Sequence, residues 1–158
     1  MPLVLNSSSI SGLSPVDGLS SPQTGSVLQV VNAGNTSATN VNGTNITVQT
    51  ASITPKFSTS KILVIFSCGS ADNASNGGEI AFYLKRGGST GTILPLQNAS
   101  QTGYLFNTNR LYQAGVTFTY LDSPATTSAT TYGMYCTTAS SPSPQVNGAQ
   151  ITLMEIAA

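Results

Sequence analysis

Histidine and tryptophan are absent from the 158 residues, cysteine occurs twice, and ten side chains carry charge. Without histidine the commonest general base and the commonest metal ligand are both missing. A Ser-His-Asp or Cys-His machine is excluded. Cys68 and Cys136 are too few for a disulfide scaffold and are not in CxxC spacing, so neither a metal site nor a cofactor is expected. Both fall on the apolar face of a predicted strand. Buried free thiols are the expectation, with a cross-sheet disulfide as the alternative.

Charged residues make up 6% of the chain, against roughly 25% in ordinary globular proteins. The acids are Asp17, Asp72, Glu79, Asp122 and Glu155, the bases Lys56, Lys61, Lys85, Arg86 and Arg110, and the net charge is formally zero. There is no basic stripe for nucleic acid and no polybasic cluster for an anionic membrane, so neither partner is expected. Long apolar runs are lacking as well: none approaches the roughly 18–20 residues that cross a bilayer. The opening MPLVLNSSSI has no positive n-region, so no signal peptide is expected.

Hydroxyls and amides take the place of charge. Serine and threonine together number 43 and asparagine 12. A surface made this way repels its own copies weakly, which points to a homo-oligomer. Six Asn-x-Ser/Thr sequons, starting at Asn6, Asn35, Asn42, Asn45, Asn73 and Asn98, follow from that composition and without a secretory signal carry no argument.

The stretch Lys61–Cys68 has apolar residues on both alternating faces: Ile62, Val64, Phe66 and Cys68 on one, Leu63 and Ile65 with Ser67 on the other. It predicts a central strand lying between a core and a second covering layer. Around it the alternation predicts strands over 26–32, 46–53 (Ile46, Val48 and Thr50 sharing a face), 79–86 (Ile80, Phe82 and Leu84 inward), 92–96, 103–106, 115–121 (Val116, Phe118 and Tyr120 sharing a face), 130–138 (Tyr132, Met134 and Cys136 aligned) and 150–156. Gly87-Gly88 reads as a hairpin turn, since no helix follows to make it a phosphate loop. About eight or nine short strands joined by Gly, Asn and Ser loops indicate an all-β fold, a single jelly-roll-like β-sandwich over residues 26–158. Residues 1–25 carry three prolines and three glycines and follow neither helical nor strand period. They predict an extended N-terminal anchoring arm, with Leu3, Leu5, Ile10, Leu13, Val16 and Leu19 as its partner-binding residues.

For chemistry, a pair of carboxylates about 5–10 Å apart is what the composition leaves, as in glycoside hydrolysis. Asp72 and Asp122 fall in predicted loops, while Glu79 and Glu155 begin or close strands as solvent-side or salt-bridged residues. No pairing can be placed, and the reading is non-enzymatic. Tyr83 and Tyr135 are candidate exposed stacking faces, for a subunit interface or a glycan; Tyr120 and Tyr132 fall on core faces.

GSVLQVVN at 25–32, SITPKFSTSKILVIFS at 52–67, TYLDSPATTSATTYGMY at 119–135 and ITLMEIAA at 151–158 resemble a module of tail-fibre and other virion proteins of tailed bacteriophages. The opening MPLVLNSSSISGLS is similar to the start of such proteins. The resemblance implies a compact trimeric head of the tumour-necrosis-factor and complement-head type, in which one sheet of each subunit packs around a three-fold axis. It implies a virion structural protein made in the host cytoplasm, located on the capsid surface or a fibre. The expected role is a trimeric capsid decoration (cement) protein that clamps the major capsid protein, another virion protein or a neighbouring copy through its arm. The alternative is a receptor-binding module of a tail or head fibre that recognises host surface polysaccharide.

Overall fold

The computed structural model describes residues 22–72, 78–94, 102–107, 113–139 and 144–158. The described residues contain no helix. In chain order they form β1 (Val27–Asn35), β2 (Thr39–Asn40), β3 (Ile46–Ile53), β4 (Lys61–Asp72), β5 (Gly78–Arg86), β6 (Thr92–Ile93), β7 (Gly103–Asn107), β8 (Gln113–Asp122), β9 (Thr130–Thr137), β10 (Gln145–Asn147) and β11 (Ala149–Ile156). The arm residues Leu3, Leu5, Ile10, Leu13, Val16 and Leu19 lie outside the described residues, as do Leu96, Arg110 and Tyr112.

β4 is central, as its doubly apolar pattern requires. β11 pairs with it along Lys61–Ser67 and β8 pairs with its other edge along Ile62–Asp72, both antiparallel. β10 continues β11 along β4, and β2 continues β1 against β10. With such continuations joined, sheet A runs β1/β2, β10/β11, β4, β8, and sheet B runs β3, β9, β5, β6/β7. The pairs are nested: β1/β2 with β10/β11, β3 with β9, β4 with β8, β5 with β6/β7. A nested antiparallel ribbon wrapped until β11 meets β4 and β9 meets β5 is an all-β, jelly-roll-like sandwich.

The core follows from the period-2 alternation. Ile62, Val64 and Phe66 of β4 face Ile80, Phe82 and Leu84 of β5, with Tyr132, Met134 and Cys136 of β9 and Ile151 and Leu153 of β11. Phe118 of β8 joins the sheets, its ring centre 6.4 Å from Phe66 and 5.4 Å from Phe82. Gly103 on β7 makes room for it, since a Cβ there would overlap the Phe118 ring.

Two expectations change in the structure. In β3 a bulge between Thr47 and Gln49 shifts the phase, so Ala51 and Ile53 are buried while Thr50 pairs with Gly133 and is only half-buried. One extra residue in a strand exchanges its faces from that point on. The covering layer over the second face of β4 is not present among the described residues. Leu63 and Ile65 are half-buried there, and on the flanking strands Val30 is 55% and Leu121 51% exposed.

Cys68 and Cys136 are both free and buried. Burial pushes the Cys68 thiol up, with a backbone hydrogen bond at Val116 acting the other way; burial, and then the neighbouring Cys68, push Cys136 up. Thiolates are the reactive form. Both residues are therefore expected to ignore a thiol reagent in the native protein and to react at once on unfolding, which a colorimetric thiol count with and without denaturant measures. Replacing Gly103 by Ala is expected to cost about 1–3 kcal/mol through overpacking against Phe118, read as a lower denaturation midpoint with an unchanged slope.

Candidate functional site

The ionisable side chains concentrate at one end of the sandwich, where β4 begins. Ile62 pairs with Glu155 on one side and with Asp122 on the other. Paired residues point to the same face, so both carboxylates turn inward on one row. Two strand spacings set their Cα atoms roughly 10 Å apart. This juxtaposition was not legible in the sequence, because it depends on the register of three strands.

The spacing resembles that of a glycosidase pair, but the surroundings differ. Ile62, fully buried, lies between the two acids. Asp122 accepts from Arg86 Nη1 at 3.0 and 2.9 Å on its two oxygens, and its Oδ2 accepts from the Tyr132 hydroxyl at 2.7 Å. The group joins β8 of sheet A to β5 and β9 of sheet B. Burial, then the hydrogen bond to Asp122, push the Tyr132 phenol well up, so it stays a donor.

Glu155 has no exposed surface. Its Oε2 accepts from Gln29 Nε2 at 2.6 Å, and its Oε1 from the backbone N–H groups of Lys56 at 2.7 Å and Phe57 at 3.3 Å. Burial pushes this carboxyl up, but the nearby Ser60 hydroxyl and the hydrogen bonds from Gln29, Lys56 and Phe57 outweigh it and hold the pKa below the usual value. Glu155 was expected on the solvent side or in a salt bridge. It is instead a buried anion held by neutral donors, and it ties the loop between β3 and β4 to β11. Asp72 and Asp122, expected in loops, close β4 and β8. Asp72 accepts from the Gln145 backbone N–H at 2.8 Å, and Glu79 accepts from the Tyr104 hydroxyl.

Beside the Arg86–Asp122 pair lies an open cleft of about 450 Å³. The Gly87-Gly88 hairpin forms one wall, with Arg86 at its base; Pro124, Thr126 and Thr131 line the other. The hairpin reading of Gly87-Gly88 holds: φ is 91° and 87°, and Arg86 pairs with Thr92 across it. Ala125 in the opposite loop has φ 53°, a conformation that a residue with a Cβ adopts at some cost. The cleft itself carried no sequence signal, because its walls are nearly 40 residues apart in the chain.

The tyrosines divide differently from the expectation. Tyr132 is buried and Tyr120 packs against the core, as read. Tyr135, expected as an exposed stacking face, is 3% exposed. Its ring lies over Gly133, where a Cβ would come within 2.9 Å of it, and Lys85 Nζ sits 5.4 Å from its centre and 5.5 Å from that of Tyr83. Lys85 points outward yet is buried, donating to Asn45 Oδ1 at 2.5 Å and Ser89 O at 2.6 Å. Burial lowers its pKa. Tyr104, not singled out, is the exposed one among the described tyrosines, at 42%.

The outer face of sheet A is the main apolar surface. Val30, Met154, Leu63 and Leu121 form a straight row across all four strands. Asn32, Thr152, Ile65 and Thr119 form the next. Lys61, beside Ile156, is the charged residue at this end of the face, and Asp72 is at the far end of β4.

Because the folded pKa of Glu155 lies below its ordinary 4.5, its contribution is present above about pH 4.5 and is lost as pH falls through the folded value. Glu155→Gln is expected to cost about 1–3 kcal/mol at pH 7, with the gap to the native protein closing in acid, as denaturation midpoints between pH 7 and 3 would register. A scan against protein-family models finds no match to this chain, and no curated protein matches it in sequence.

Proposed function

We propose that the chain is a non-enzymatic structural protein of a tailed-phage virion, a homotrimeric capsid decoration protein whose N-terminal arm clamps the capsid lattice or a neighbouring copy. The observation that carries this reading is the way the base of the arm is fastened. Gly25 N–H donates to Ala157 O at 2.8 Å, and Ala157 N–H donates to Ser26 O at 2.9 Å, so the strand ladder of sheet A extends to the point where the arm leaves. A clamp transmits load only if its root is held, and here the root is paired with Ala157, just past the end of β11, an interior strand of sheet A. The nearby carboxylates act in the same sense, since Asp122 and Glu155 each hold the chain's own elements together. A nearly uncharged surface suits close packing of identical copies.

The cleft beside Arg86 favours a second reading, a receptor-binding module for host surface polysaccharide. Its threonine hydroxyls and one guanidinium are groups that bind sugar hydroxyls or acidic sugars. The two readings separate on the particle. Full-length protein is expected to form trimers by native mass measurement and to co-sediment with undecorated shells in hundreds of copies per particle. A chain that stays monomeric and leaves shells bare, while binding extracted host polysaccharide, would sink the decoration role.

A further inference from the structure

The outer face of sheet A carries an apolar row across its four strands, Val30–Met154–Leu63–Leu121, and has no cover among the described residues. The described chain enters at its corner. Ser26 N–H donates to Gln23 O at 3.0 Å, and Gly25 at the third turn position has φ 85°. Positive φ at that position alone defines a type II turn, which selects glycine. A Cβ at Gly25 would meet nothing within 4 Å, so the backbone conformation and not the space imposes the choice. Followed upstream from Val27, the chain passes the end of β1 and is then reversed by this turn. Pro22, just before it, is half-buried.

The preceding segment matches the face in polarity and in charge. Residues 1–21 hold the apolar Leu3, Leu5, Ile10, Leu13, Val16 and Leu19, and their one charged side chain is Asp17. At the end of the face where the turn lies there is one charged side chain as well, the exposed Lys61, while Asp72 lies at the opposite end of β4. Asp17 is five positions before Pro22, about 16 Å of extended chain. From β1 to β4 is two strand spacings, about 10 Å. The acid can reach the base. An exposed pair of this kind adds little affinity, but an acid in the segment, drawn to Lys61 at one end of the face and repelled by Asp72 at the other, sets which way an apolar segment lies.

We propose that in the free protein residues 1–21 lie across the outer face of sheet A of their own protomer, with apolar side chains over the Val30–Met154–Leu63–Leu121 row and Asp17 at Lys61. This deepens the proposed function, resting on its reading of residues 1–25 as an arm and not on the virion assignment. The arm covers the surface most able to make a near-neutral protein self-associate before assembly.

Two measurements on the full-length protein test it. A zero-length carbodiimide couples a carboxylate to an amine only where they touch. Mass mapping of denatured single chains is expected to show an Asp17–Lys61 link within one chain, absent from Lys61→Gln. Leu121→Lys places a charge on the row at a side chain that is already half exposed, so the melting temperature should hold. Cleavage within residues 1–21 by a leucine-directed protease should then quicken about tenfold. Both results are required. A link found only between chains, no link at all, or cleavage indifferent to Leu121→Lys overturns the proposal. Loss of shell binding with both results intact sinks the decoration role alone.

Discussion

The register of β4 against its two neighbours is the constraint on which the other features depend. Ile62 opposite both Glu155 and Asp122 places the inward apolar residues of three strands in one layer. The same register aligns Leu63 with Met154 and Leu121 on the other side. A slip of one residue would send the Ile62, Val64 and Phe66 set outward and bring Lys61 into the core. Such a slip is opposed from both edges at once, because a central strand has to satisfy two partners together.

Scarcity of charge gives each buried ionisable group an identifiable task. Asp122 joins the two sheets through Arg86 and Tyr132, Glu155 holds the loop after β3, and Lys85 draws Asn45 and the hairpin at Ser89 over two tyrosine rings. In each case the desolvated charge is compensated by several donors or acceptors, as a buried charge requires. These contacts fix loops, and loops decide the shape of a sandwich's ends.

Much of the fold was legible in sequence because alternation is local. Ile62 to Cys68, Ile80 to Leu84 and Tyr132 to Cys136 each show their buried face without reference to the rest of the chain. What was illegible is non-local or too short. β2 and β10 have two and three residues, too few for a repeated alternation to show. The bulge in β3 has no signature in ITVQTASI. Tyr135 and Lys85 lie on the outward face as read, yet are buried by neighbours that the topology supplies. The site at the sandwich end was the least legible part, since Arg86, Asp122 and Tyr132 meet only after both sheets have formed.

The nesting of the strands also has a temporal meaning. β1, among the first elements of the sandwich to be synthesised, has β11 as its ladder partner, and β3 has β9. While the ribosome is still producing the middle of the chain, only the innermost pairs, β5 with β6/β7 and β4 with β8, have their partners available. Contacts of such long sequence separation slow folding, and unpaired edges wait exposed in the interval. The serine, threonine and asparagine that replace charge on this protein therefore have to keep a half-made sandwich in solution as well as a finished one.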